Sequence, residues 1–207
     1  TNTVDDLGKD ELISILLHQN IRVKADMFDD EIVRDTIKTI AQLKLIQRKN
    51  GEEGCNRYII SNSEDIYSVL FVYSLLKWCC WEGGELPIDI IPLFESMEGM
   101  ANSESIMKDL FEIPEYRSHV SQRSNTQTIM LGFSDGTKDG GYLQANWSIF
   151  KTKESLSAIC STVHPSKSVT FFRSRDDVVI KFTIFPMVEI PLKVHLKVYF
   201  QEQITHL

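Results

Sequence analysis

"TIMLGFSDGTKDGG", Thr128 to Gly141, sets an apolar run directly against four glycines, two aspartates and a lysine. The run reads as a buried strand. It leaves through a flexible, charged turn before an amphipathic stretch that begins at Tyr142. Glycine lets a backbone approach a ligand closely, and the carboxylates and ammonium of this turn point to something ionic held there.

Outward from this stretch the same alternation recurs. "RYIIS" (Arg57 to Ser61) is a short apolar strand, and Ser61 to Glu64 has the spacing of a capping box opening a helix to about Trp81, closed by Gly83 and Gly84. "LPIDIIPLFE" (Leu86 to Glu95) is a second buried strand, and helical sequence runs from about Glu98 to Arg123 with a break near Pro114. After the third strand, Leu143, Trp147, Phe150, Ile159 and Val163 mark an amphipathic helix. Residues 1–50 read as helical: Asp29 and Asp30 can cap a helix carrying Val33, Ile37, Ile40 and Leu43, which Asn50 and Gly51 stop. Strands alternating with helices imply βα units around a parallel sheet. In such folds functional groups gather at the carboxyl ends of strands, and here those ends hold Glu95 and Asp135.

The bulk composition narrows the function. A chain of 207 residues with 43% hydrophobic content can bury a sizeable core. A net charge of -7 with no basic block argues against nucleic acid as a partner. Cys55, Cys79, Cys80 and Cys160 show no CxxC spacing and read as reduced thiols of a cytoplasmic protein. "KWCCW" (Lys77 to Trp81) reads as helix-end packing, because adjacent cysteines diverge on a helix. The longest apolar run, Val69 to Leu76, is too short to span a bilayer, so no membrane role is expected. No signal peptide opens the chain, and a first residue of Thr implies a cut or processed end.

Two phosphate-binding readings of the glycine turn fail. A P-loop needs GxxxxGK followed by Ser or Thr, whereas Gly132 and Gly136 enclose three residues and Asp139 follows Lys138. A haloacid-dehalogenase-type loop needs a nucleophilic aspartate where Phe133 stands. A divalent metal site survives, since Mg²⁺ or Mn²⁺ takes one or two carboxylates with water and substrate oxygens. Glu95 and Asp135 can supply that pair; taken singly, each also reads as the cap of the helix that follows, and Lys138 as a solvated surface lysine.

Read together, "NRYIIS", "IDIIPLFES", "PEYR" and "IMLGFSDGTKDGGYLQANW" resemble phosphoenolpyruvate carboxylase in order and spacing. The family's pattern of apolar residues, Gly, an aromatic, Ser-Asp-Ser, a variable residue, then Lys-Asp, a small residue and Gly matches Ile129 to Gly141, with Gly136 where Ser is usual. The resemblance covers about Asp29 to Val163. It implies a partial parallel βα (TIM-type) barrel segment with extra helices, in an α/β protein. It further implies a cytoplasmic, homotetrameric parent enzyme that joins phosphoenolpyruvate to bicarbonate, giving oxaloacetate and phosphate with Mg²⁺ or Mn²⁺. On the same basis Glu95 and Asp135 are the metal ligands and Lys138 is a catalytic residue. No substrate-binding residue is carried over.

The departures matter as well. The upstream histidine and arginine that the family uses have no counterpart here. Where it continues into a Gly-Arg-Gly-Gly loop, this chain has "VTFFRSRDDVVIKF". Asp176 and Asp177 stand where glycines belong, so the arginine's role is not carried onto Arg175; His164 and His195 match no family histidine. No glycine follows Gly141, and "LKVHLKVYF" alternates like a half-buried strand. Three segments are therefore expected: a helical 1–50, a βα-barrel 51–163 carrying the metal ligands, and a divergent or out-of-frame β-rich tail at 164–207. The resemblance implies a carboxylase fragment inactive alone. The alternatives are a truncated, non-catalytic relative serving as a binding or assembly module, and an unrelated metal-dependent phosphoryl-transfer domain.

Overall fold

The computed structural model describes residues 8–163, 168–173 and 178–183. The elements in chain order are α1 (Lys9–His18), a 3-10 turn (Ala25–Met27), α2 (Glu31–Asn50), a second 3-10 turn (Glu52–Gly54), β1 (Arg57–Ile60), α3 (Ile66–Cys80), β2 (Asp89–Phe94), α4 (Met97–Glu112), α5 (Pro114–Gln122), β3 (Thr126–Leu131), α6 (Phe133–Gly140), α7 (Tyr142–Val163), β4 (Ser168–Arg173) and β5 (Val178–Thr183). The described strands form one sheet in the order β1-β2-β3-β5-β4. β1, β2 and β3 run parallel, and β5 pairs antiparallel with both β3 and β4. This is the mixed α/β architecture that the strand–helix alternation implies. A closed barrel needs eight strands, and the described strands form an open sheet of five. Arg175, His164 and His195 lie outside the described residues, as does most of the expected β-rich tail beyond β4 and β5.

The chain divides into two compact units. The first comprises Thr1–Tyr58 and Tyr67–Ile90. Its core gathers Leu16 of α1, Ile37 and Ile40 of α2, and Val69, Leu70, Tyr73 and Leu76 of α3, all buried. Asp30 caps α2 by accepting the Val33 N–H at 3.0 Å, and Gly51, at φ 84°, ends it in the left-handed region. Two polar side chains are matched here, Ser74 and Gln47. The Ser74 hydroxyl lies 2.7 Å from the Leu16 carbonyl, and the Gln47 amide nitrogen donates to the Cys55 and Pro87 carbonyls at 2.8 and 3.0 Å. Cys80 donates to the Ile40 carbonyl at 3.2 Å, so the adjacent cysteines belong to helix-end packing.

The second unit comprises Ile59–Ile66 and Ile91–Leu207. Its buried core includes Phe94 of β2, Met100, Met107 and Leu110 of α4, Tyr116 of α5, Ile129 and Leu131 of β3, and Leu156 of α7. Pro114 opens α5 immediately after α4 ends, which is the break expected there.

Three local expectations are corrected. α3 begins at Ile66, so Ser61 and Glu64 do not box its start. They belong to a turn in which Asn62 takes φ 54° and Ser63 hydrogen-bonds through its N–H to the Leu93 carbonyl at 3.1 Å. The glycine stretch after β3 is helix rather than flexible turn: α6 starts at Phe133, and Gly141, at φ 81°, separates it from α7. On α7, Leu143, Trp147 and Phe150 are 82%, 57% and 55% exposed, while Ala145, Ile149, Thr152, Leu156 and Ile159 are buried. The helix has two apolar stripes. The one carrying the small Ala145 and Thr152 packs against α4, with the Thr152 hydroxyl donating to the Met100 carbonyl at 3.1 Å.

Candidate metal and anion site

The site is built where β1, β2 and β3 end, wholly within the second unit. β2 and β3 are in register, Leu93 opposite Met130 and Phe94 opposite Leu131. The next residues, Glu95 and Gly132, are therefore level, and the Gly132 N–H donates to the Phe94 carbonyl at 2.9 Å. A Cβ on Gly132 would lie 2.6 Å from the Glu95 Cβ and 3.1 Å from its Cα. Only glycine lets the two backbones pass this closely.

Each strand end adds a contact. Glu95 Oε1 accepts the Asn62 N–H at 2.8 Å, which ties the β2 end to the turn after β1. Ser96 caps α4 by accepting the Gly99 N–H at 2.9 Å, and its hydroxyl donates to Glu64 Oε1 at 3.3 Å. Asp139 Oδ2 accepts the Met97 N–H at 2.8 Å, joining α6 to the start of α4.

Asp135 sits in the first turn of α6, and Lys138, one turn on, donates to its Oδ1 at 2.6 Å. Both side chains are open to solvent, Lys138 74% and Asp135 52% exposed. The Lys138 hydrogen bond and then its charge hold the Asp135 carboxyl below its ordinary value, and the neighbouring Glu95 side chain makes a smaller contribution. The same contact with Asp135 pushes Lys138 up, and the Glu95 charge adds to that. Glu95, Asp135 and Lys138 therefore form one electrostatic cluster.

The donor set fits a hard divalent cation. One oxygen of each carboxylate is engaged, Glu95 Oε1 by an amide and Asp135 Oδ1 by an ammonium, which leaves Oε2 and Oδ2 for a cation. Among the described residues no group of three or more His, Cys, Asp and Glu side chains can hold a metal. A cation here would thus keep water or substrate oxygens in most positions, as Mg²⁺ does.

The roles of Asn62, Gly132 and Asp139 escape sequence reading. The Ser61 to Glu64 spacing suggests a helix cap, and only a turn in three dimensions gives the Asn62 N–H to Glu95. Asp139 lies inside the quoted motif, but its partner Met97 is 42 positions away.

A sheet whose β1, β2 and β3 run parallel, with Glu95 and Asp135 just beyond two adjacent strand ends, belongs to the class of α/β folds in which ligands bind at the carboxyl edge. The family model for phosphoenolpyruvate carboxylase matches residues 6–176, and the chain belongs to this family. The match runs past Val163, the expected end of the resemblance, and takes in Val169 to Phe172. A phosphoenolpyruvate carboxylase of Synechococcus sp. is 36% identical over 141 residues, 66% of this chain and 13% of that protein. Those of Nitrosomonas europaea and Mycobacterium leprae are 32% and 35% identical, over 72% and 61% of this chain and 16% and 14% of theirs. The chain thus spans a small part of the length of the relatives it matches. No helix among the described residues is long and apolar enough to cross a membrane.

Proposed function

We propose that the chain carries the metal-ligand portion of a phosphoenolpyruvate carboxylase, which joins phosphoenolpyruvate to bicarbonate and releases oxaloacetate and phosphate. In this reading Glu95 and Asp135 ligate Mg²⁺ or Mn²⁺. Such a cation supplies Lewis-acid stabilisation of charge developing on enolate and phosphoryl oxygens. Lys138 is the catalytic cation: its solvent-exposed ammonium, beside Asp135 Oδ1, has donors left for a substrate anion. A cytoplasmic location and a homotetrameric parent go with this reading. The observation that carries it is the convergence of Glu95, Asp135 and Lys138 at the level ends of two parallel strands.

Titration of the chain with Mn²⁺, followed by the electron paramagnetic resonance of the free ion, tests the ligands. Glu95→Gln and Asp135→Asn should each weaken binding by about 10-fold or more, since a carboxylate ligand becomes a neutral amide. Affinities equal to that of the unsubstituted chain sink the assignment. The chain alone should yield no oxaloacetate above background in an assay coupled to malate dehydrogenase.

The exposed α7 stripe of Leu143, Trp147 and Phe150 favours a second reading, a non-catalytic module that binds other carboxylase chains. An absence of measurable Mn²⁺ affinity, together with co-sedimentation with a full-length family member, would favour it over the first.

A further inference from the structure

We propose that Asp139 is a positioning residue for the Glu95–Asp135 pair, acting through its hydrogen bond to the Met97 amide; this rests on the reading of that pair as metal ligands. α6 has eight residues, two of them glycine, and no side chain caps its start. Glycine is about 1 kcal/mol less favourable than alanine in a helix interior, and so short a helix is marginal without tertiary support. Its support comes from α7, where the Phe133 and Tyr142 rings meet edge-on, and from the start of α4. A Cβ on Gly136 would meet the methyl ends of Met100 and Met97 at 3.1 and 3.2 Å, and one on Gly140 would meet the Met97 sulfur at 2.8 Å.

Those contacts hold α6 close, but they are apolar and non-directional. Asp139 supplies the directional contact, with Oδ2 2.8 Å from the Met97 nitrogen. Met97 is the first residue of α4, where an orphan amide and the helix dipole both favour a carboxylate. Met97 also lies two residues beyond Glu95. Asp139 in turn follows Asp135 by four positions, one turn along the same face of α6. The bond therefore ties the helix bearing one carboxylate to the chain just past the other, and it sets the direction in which Asp135 points relative to Glu95.

The experiment compares Mn²⁺ affinity in the 207-residue chain and its variants, with amide hydrogen exchange measured in parallel. Asp139→Ala should weaken Mn²⁺ binding by about 10-fold, as loss of a supporting partner around a metal does. Asp139→Asn keeps an oxygen acceptor for Met97 and should restore near-parental affinity. In Asp139→Ala the Met97 amide should exchange faster, while the Gly132 amide, held by Phe94, keeps its protection.

Parental affinity in Asp139→Ala overturns the proposal. So does an Asp139→Asn as weak as Asp139→Ala, because the charge and not the hydrogen bond would then matter. If Asp139→Ala loses its helical circular dichroism, Asp139→Glu, which displaces the acceptor by one methylene, takes its place, and parental affinity there is equally fatal. Should Asp135→Asn bind Mn²⁺ as well as the parent, the ligand reading fails and the proposal falls with it. A failure confined to the Asp139 variants leaves that reading standing.

Discussion

Replacing Gly132 by alanine isolates one structural claim, that β2 and β3 pass too closely for a side chain. Gly132 has φ −79°, a conformation alanine adopts without strain. On backbone grounds alone the substitution should stabilise the fold by about 0.4–1 kcal/mol, by narrowing the unfolded ensemble. Sterics oppose this. The new methyl would sit 2.6 Å from the Glu95 Cβ and 3.1 Å from its Cα, atoms that cannot swing aside as a side-chain end can. Relief requires parting two paired strands or losing the Gly132 to Phe94 hydrogen bond, which places the cost near the upper end of the overpacking range, about 3 kcal/mol. The net expectation is a loss of about 2 kcal/mol. With a urea dependence of about 2 kcal/mol per molar, the unfolding midpoint falls by about 1 M. Gly54→Ala is the control, since its added Cβ would be 3.6 Å from the Asn50 Cβ, an ordinary contact. Urea unfolding followed by circular dichroism measures both. A Gly132→Ala chain as stable as the Gly54→Ala control refutes the close-approach argument.

Two further predictions concern ionisation. The Asp135 value is depressed below 3.8, so its pairing contributes stability above that pH and loses it as pH falls through the lowered value. Lys138 is raised above 10.5, so its contribution is complete below that pH and is lost as pH rises through the raised value. Lys138→Met should therefore move the Asp135 carboxyl titration, read by carbon NMR, upward toward 3.8; an unmoved midpoint contradicts the pairing. Burial first, and the neighbouring Cys80 second, push the Cys79 thiol up to about 11. At pH 8 native Cys79 should then alkylate far more slowly than a free thiol and regain the free rate in urea, and rapid native alkylation rules this out.

Much of the fold is legible because its strands are short apolar runs bounded by glycine, proline or capping residues, and because helical sequence separates them. The parallel order of β1, β2 and β3 follows from those intervening helices. What misleads is sequence whose local preference is overridden by packing. Glycine density at 132–141 signals a turn, yet Gly136 and Gly140 are there so that α6 can lie against Met97 and Met100. On α7 two apolar stripes share one helix, and hydrophobic period cannot choose between Leu143, Trp147 and Phe150 and the buried Ala145, Ile149 and Leu156. Small residues decide it, since close helix approach favours the stripe with the least bulk.

The same reasoning accounts for the candidate site. Glu95 and Asp135 are 40 positions apart, and neither spacing nor composition brings two such carboxylates together. Parallel pairing does, because it sets the ends of β2 and β3 level. Level ends alone would still leave Glu95 beside a side chain on the neighbouring strand. The absence of a Cβ at Gly132 removes that obstacle, and α6 begins at the very next residue, which brings Asp135 round within its first turn. Lys138 then follows on the same helix, one turn further, close enough to hold the carboxylate charge. In the proposed reading the carboxylates supply the chemistry, and the missing Cβ at Gly132 is what lets the two strand ends come this close.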